Sequence, residues 1–307
     1  MPGQMEVPTS GKLEDLLRWA ETKVCLSLAV SIYYKPPAES FVEGFLECYR
    51  EYLDLCEPYL TWFASETGAG YRKADPKVLR IPFRRLPDAV DKGKFWSWCA
   101  MAGEHHRHAA PYQFEASVSD DPDNLSSFRA AFPVSMFSND FGRFVELVKS
   151  LAARAPFFFG YGGFSLSNSL VITTQQSNEI YLAPVAMRFH GVQVEEDTKT
   201  RLCCQDSIKG VDWLTLLAPS LVERVGGISA LRAQLGEAIT AHELPNGLVI
   251  QAGPAPKLGD VNAGERLPLY RKVHRVLTPI RNLNHWPLGD RAFLQDETRR
   301  WMARFDD

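Results

Sequence analysis

The sequence has no surplus of basic residues. Its 34 lysines and arginines face 37 aspartates and glutamates, for a net charge of -3, which leaves no broad cationic face for gripping a nucleic acid backbone. Long apolar runs are missing as well. The run from Val24 to Tyr34 starts too late and is too short for a signal peptide or a spanning helix. Glu6, Glu14, Asp15 and Glu21 precede it. The chain therefore reads as cytoplasmic, with no direct nucleic acid partner and no membrane contact. Cysteine is sparse, and Cys25, Cys48, Cys56, Cys99, Cys203 and Cys204 lack the dense, even spacing of a secreted scaffold. They read as reduced thiols. Cys48 and Cys56 fall about 12 Å apart along a predicted helix, beyond bridging distance. Cys203-Cys204 has no C-x-x-C context and implies no redox role.

What is present is ordinary globular material. Hydrophobic residues make up 45%, aromatics 11% and charged residues 23% of the 307 residues, so a packed fold needs no disulfide or metal staple. At roughly 150 residues per domain the chain is one large domain or two modest ones. No repeat or low-complexity linker divides it. The reading is one α+β domain over 1–307, a mostly antiparallel sheet covered by helices, with 1–125 and 126–307 as candidate pseudo-related halves.

Periodicity places the elements. A short helix is expected over Lys12 to Thr22, and a strand over Val24 to Tyr34 with one face buried. Ser40 is a candidate cap for a helix carrying Phe41, Phe45, Tyr49, Tyr52 and Cys56 on one face. A strand near Leu60 to Ala64, a glycine turn and a helix near Leu86 to Lys94 follow. Strands over Tyr112 to Val118 and Phe128 to Phe137 flank the acidic loop Asp120-Asp121-Pro122-Asp123-Asn124 as a hairpin. Phe141 to Arg154 reads as a helix capped by Asn139-Asp140, and Glu179 to Phe189 as another. Further on, a strand over Val211 to Leu216 and helices from Ser220 and Ile228 are expected. A hairpin about Asn246-Gly247, a helix after Pro268 and a tail helix from Asp290 complete the chain.

Three clusters carry residue types used in chemistry. Cys99, Glu104, His105, His106 and His108 are zinc-type ligands, but no second ligand pair lies elsewhere at suitable spacing. This favours a solvated histidine loop and no metal site. Gly160-x-Gly162-Gly163 follows a predicted strand, yet it lacks a Gly-Lys-Ser/Thr, and Ser165 stands where a dinucleotide fingerprint needs glycine. A tight turn under aromatic packing is expected. Asp197-Thr198-Lys199 has the acidic-x-lysine form that nucleases use around a metal, but it is read as a charged surface loop. No cofactor and no catalytic residue is assigned.

One segment carries a resemblance. Ile208-Lys209-Gly210-Val211-Asp212-Trp213-Leu214-Thr215, Gly226-Gly227, Gly247 to Gly253, Gly259-Asp260-Val261-Asn262 and Leu267-Pro268-Leu269-Tyr270 occur in this order and spacing. Over Ile208 to Tyr270 the chain resembles the type VI secretion immunity protein family, and Phe157 to Gly163 extends a weaker likeness upstream. The resemblance implies a non-enzymatic antidote for bacterial competition, which neutralises a cognate secreted effector toxin by blocking its active site or substrate groove. Some relatives are paired with nuclease toxins, so a nuclease is the expected partner. The oligomeric state is left open. The motif residues Trp213, Gly226, Gly227, Gly247, Gly259, Asp260, Asn262 and Tyr270 read as architecture, with a pocket on Asp212, Asp260, Asn262 and Tyr270 as the alternative.

Neutralisation demands affinity on the order of nanomolar, about -12 kcal/mol. Acidic loops would suit the basic groove of a nuclease. Asp120, Asp121 and Asp123 are the first candidates for partner contact, Glu195, Glu196 and Asp197 the second, with Tyr112 or Trp286 as nearby aromatic anchors. Two competing classes remain: a metal-dependent enzyme using His105-His108 or Asp197-Lys199, and a secretion-system adaptor.

Overall fold

Strand β1 (Val24–Tyr34) forms where β-branched and aromatic residues alternate with small ones, and it becomes the middle of the sheet. The computed structural model describes residues 13–20, 22–65 and 70–306. The polar leader through Lys12, Glu21 and the glycine turn at 66–69 lie outside the described residues. The remaining strands are β2 (Trp62–Ser65), β3 (Arg72–Lys73), β4 (Trp96–Met101), β5 (Gln113–Val118) and β6 (Ser126–Pro133). They continue with β7 (Phe159–Asn168), β8 (Gln193–Val194), β9 (Leu214–Leu217), β10 (Thr240–Leu244) and β11 (Gly247–Gln251).

These build an 11-stranded sheet in the order β10-β11-β9-β7-β1-β6-β5-β4-β2-β3, with β8 alongside β7. Every pairing is antiparallel except β7 with β8. The architecture is α+β, with helices packed on a mostly antiparallel sheet.

One sheet face is apolar. Leu28, Val30, Ile32 and Tyr34 of β1, Phe128 and Phe132 of β6, and Phe114 of β5 point to it. The helix Val42–Cys56 lays Phe45, Tyr49 and Tyr52 across this face. Phe45 meets Phe128 edge-on at 5.5 Å between ring centres, and Tyr52 tilts against Phe132 at 5.3 Å. Offset and edge-on ring pairs of this kind add about 0.5–1.5 kcal/mol each beyond area burial. The helix Phe141–Ala153 begins at Asp140, whose carboxylate accepts from the Gly142 amide at 2.9 Å, and its Phe144 stacks on Trp213.

The opposite face is buried too. Ser27, Ser31 and Tyr33 of β1 share it with Ser127 and Arg129 of β6, Gln113 of β5, and Tyr161, Ser165 and Ser167 of β7. Polar side chains buried this way must bond to one another. Arg129 donates to Gln113 Oε1 at 3.0 Å and to the hydroxyls of Ser165 and Ser167 at 3.1 and 3.0 Å.

Several expectations are corrected. The glycines 160, 162 and 163 do not make a turn but lie in the buried middle of β7. A Cβ on Gly160 would sit 2.6 Å from the Ser31 carbonyl oxygen, and one on Gly163 2.6 Å from Asp212 Oδ1. Glycine admits those close neighbours, so its function here is packing within a strand. Strand β4 was not anticipated, although Trp96 and Trp98 alternate with Ser97 and Cys99. The predicted helix near Leu86 to Lys94 runs instead over Pro82–Val90, and Ser40 falls in a 3-10 turn ahead of Val42. The helix expected from Glu179 begins earlier, covering Ile172–Arg188, and the tail helix is shorter, Gln295–Met302.

Candidate functional site

The acidic loop closes the hairpin of β5 and β6. It is ordered by its own short side chains and by two neighbours. Asp121 Oδ1 accepts from the Asp123 amide at 2.9 Å, a local turn that aspartate makes readily. Asp120 Oδ1 accepts from the Ala38 amide at 2.6 Å, and Arg201 donates to the Asn124 side-chain oxygen. Asp120, Asp121 and Asp123 are exposed, and among the described residues none of the three carboxylates joins an ion pair. The loop therefore presents three uncompensated negative charges on a braced backbone.

The second cluster is placed differently. Glu195 Oε1 accepts from Tyr33 OH at 2.7 Å, and Tyr161 OH lies 2.7 Å from both carboxylate oxygens. Ser31 Oγ donates to Oε2 at 3.0 Å, and Lys209 Nζ stands 3.4 Å from Oε1. Burial alone would raise this carboxyl, but Lys209, the hydroxyls of Tyr161 and Tyr33, and Arg129 together hold it below its ordinary value. Glu196 caps the helix Asp197–Cys203 through the Lys199 amide at 2.5 Å. Burial and its acidic neighbours push Glu196 up to about 7 against the pull of Lys199. Asp197 accepts from Ser127 Oγ at 2.5 Å and from Arg201 Nε at 2.9 Å. The acidic-x-lysine segment is thus not a surface loop. It is a capped helix start fastened to the polar face of the sheet, because Thr200 and Arg201 behind it are buried.

The helix Asp197–Cys203 links the two clusters. Arg201 reaches both Asp197 and Asn124, and its guanidinium lies 5.9 Å from the ring of Phe95, which is 48% exposed. Phe95 is the aromatic beside the acidic loop that the sequence reading missed. Tyr112, expected there, sits at the other end of β5, about 20 Å away at 3.3 Å per residue, stacked on Tyr59. Trp286 is 52% exposed, and nearby Asn282 donates to the Cys203 carbonyl at 2.7 Å.

The histidine cluster packs on aromatics. His106 lies against the rings of Trp62 and Tyr71, and His105 stacks on His106. Partial burial and the neighbouring His105 and Arg107 lower His106, so its charge arrives below the ordinary histidine range. Among the described residues no three His, Cys, Asp or Glu side chains are grouped to hold a metal ion. No described helix is long and apolar enough to cross a membrane.

The motif residues of the C-terminal third sit in bonds that fix the backbone. Trp213 is fully buried and donates from its indole to the Gly253 carbonyl at 2.8 Å. Asp260 takes a forked pair of bonds from Arg188, at 2.8 and 2.7 Å, and accepts from the Asn262 amide at 3.0 Å. The Tyr270 hydroxyl accepts from the Lys257 amide at 3.1 Å. Gly226 has a left-handed backbone at the end of the helix Pro219–Arg224, Gly227 starts the next helix, and Gly247 opens β11. Gly259 packs against Leu267. Asp212 is buried beneath Gly163, whereas Tyr270 lines a cavity of about 370 Å³ with residues 252–255, 257 and 265–269.

The family described as "TsiV: Type VI immunity for VRR-NUC" matches residues 45–305. Among solved structures, the chain is similar to the Pseudomonas aeruginosa T6SS protein PA0821, with a TM-score of 0.82 and 24% identity. The alignment covers 92% of this chain and 82% of that one, a likeness of fold. No curated protein matches the chain.

Proposed function

Since the chain belongs to the family of type VI immunity proteins for VRR-NUC, we propose that it binds a cognate VRR-NUC effector and neutralises it one to one, by covering the substrate groove of the nuclease. The chain makes and breaks no bond in this reading. A groove that accepts a polyanionic backbone is positively charged, and an acidic surface competes for it while steering association.

The observation that supports this is the braced loop with exposed Asp120, Asp121 and Asp123 and, among the described residues, no cationic partner. Glu195, Glu196 and Asp197 act at one remove: they fasten the helix whose Arg201 holds Asn124. Phe95 supplies an exposed ring next to the charge. Preorganisation lowers the ordering cost at binding, so the loop's geometry contributes as well as its charge.

The test is the combined variant Asp120→Lys, Asp121→Lys, Asp123→Lys, titrated against purified effector at two salt concentrations. Association should slow by about 10- to 1,000-fold at low salt, with a flatter salt dependence. Unchanged affinity together with an unchanged salt slope would exclude this loop. Protection that needs far less than one immunity protein per effector would exclude the stoichiometric reading.

A further inference from the structure

On another part of the surface, a buried cation lacks an anionic partner among the described residues. Arg304 is 7% exposed. Its Nε donates to the His190 carbonyl at 2.9 Å, Nη1 to the Trp301 carbonyl at 3.0 Å and Nη2 to the Val211 carbonyl at 3.4 Å. The guanidinium also lies over the rings of Trp301 and Phe305, at 3.6 and 4.5 Å from their centres. Three of its five N–H groups thus meet neutral acceptors, and among the described residues no carboxylate is within ion-pair distance. Burial pulls Arg304 down to about 9, with Asp212 favouring its charge and Arg281 opposing it. A cation held this way is costly unless an anion reaches it.

An anion has room to do so. Arg304 lines a cavity of about 270 Å³ together with Arg266, Arg271, His190, Glu265 and Phe305. The side chains of Arg266, exposed, and Arg271, half-buried, make no hydrogen bond or ion pair among the described residues. Glu265 is turned aside, accepting from the Asp260 amide at 3.0 Å. Burial and the two nearby arginines lower His190, which leaves it a neutral hydrogen-bonding wall near pH 7. Three guanidinium groups against one carboxylate give the lining a surplus of two positive charges.

We propose that this cavity binds an oxyanion of the phosphate class, held by Arg266, Arg271 and Arg304, either as free phosphate or as the head of a small phosphomonoester. Planar guanidinium forks match tetrahedral oxyanions in paired hydrogen bonds, and a doubly charged anion balances the lining. The wall is built from the loop between Asp260 and Leu267, part of the segment that carries the family resemblance. The site makes no use of the acidic loop, so it stands or falls independently of effector binding.

The experiment is calorimetric titration of the full chain with inorganic phosphate, ionic strength held constant with chloride. Saturable one-to-one binding is expected. Arg266→Gln and Arg271→Gln should each weaken it about tenfold or more, the worth of one charge-assisted bond. Because Arg304→Gln takes a donor from the carbonyls of His190, Trp301 and Val211, the double variant Arg266→Gln, Arg271→Gln is the decisive one; its melting curve in chloride should match the unaltered chain while phosphate no longer raises it. Phosphate that fails to saturate below about 10 mM, or that binds the double variant as tightly, overturns the proposal. Adenosine monophosphate that displaces phosphate supports a monoester ligand, and failure to displace it supports the free anion.

Discussion

Replacing Glu195 tests how far charge holds the polar half of the interior. The carboxylate receives Tyr33, Tyr161 and Ser31 hydroxyls and faces Lys209, whose side chain is 1% exposed against 10% for Glu195 itself. Glu195→Ala leaves three hydroxyls and an ammonium group around a void. Removing one partner of a buried pair costs about 3–5 kcal/mol because the other charge stays desolvated. Lys209 retains a bond to the Val194 carbonyl at 2.8 Å, which points to the lower end, about 3 kcal/mol. The double variant Glu195→Gln, Lys209→Met removes both charges at similar volume and should lose less than the single alanine. Urea unfolding reads this as a lower midpoint at unchanged slope. The pH sign follows from the lowered carboxyl. Its stabilising contribution is complete above the ordinary value of 4.5 and fades as pH falls through the lowered one. A Glu195→Ala protein within roughly 1 kcal/mol of the parent at neutral pH would refute the reasoning, as would a deficit that stays constant through acid titration.

Two further outcomes follow from neighbouring groups. Glu115 and Glu196 are both pushed up to about 7, chiefly by burial, so each contributes stability below 4.5 that is lost as pH rises through about 7. Glu115→Gln combined with Glu196→Gln should flatten the fall in melting temperature across that window, measured by calorimetry at several pH values; an unchanged slope would mean that neither carboxyl is held high. Gly163→Ala places a methyl 2.6 Å from Asp212 Oδ1, and that carboxylate is fixed by the Trp213 amide at 2.6 Å. A loss of about 1–3 kcal/mol is expected from overpacking, relieved in an Asp212→Ala background, and a thermal melt of the two variants decides it.

What the sequence reveals here depends on whether a signal is local. The helix Phe141–Ala153 was legible because its apolar residues return every three or four positions and Asp140 is its cap. The hairpin of β10 and β11 was legible because Asn246-Gly247 marks the turn. By contrast, Gly160, Gly162 and Gly163 suggest a turn wherever they occur, and it is neighbours distant in the chain, Ser31 at Gly160, Ala29 and Phe144 at Gly162 and Asp212 at Gly163, that make them strand residues. The capped helix at Asp197 was hidden for a related reason. Its charges look solvated until Ser127, Tyr33 and Tyr161, each distant in the chain, are seen to surround them.

This difference separates the two acidic clusters, which read alike in sequence. A carboxylate in a run of acidic residues is free for a partner only if no hydroxyl or cation of the same chain reaches it first. β1 and β7 send Ser31, Tyr33 and Tyr161 to Glu195, and Ser127 and Arg201 take Asp197. At the hairpin tip Asp121 accepts from the Asp123 amide, and among the described residues neither Asp121 nor Asp123 joins an ion pair. Arg201 then connects the two outcomes, because the guanidinium that neutralises Asp197 is the one that braces the loop at Asn124. The inner charges stabilise the surface on which the outer ones stand, so in the binding mode proposed above substitutions at Glu195 or Asp197 should reach effector binding through stability, and those at Asp120 to Asp123 through the encounter itself.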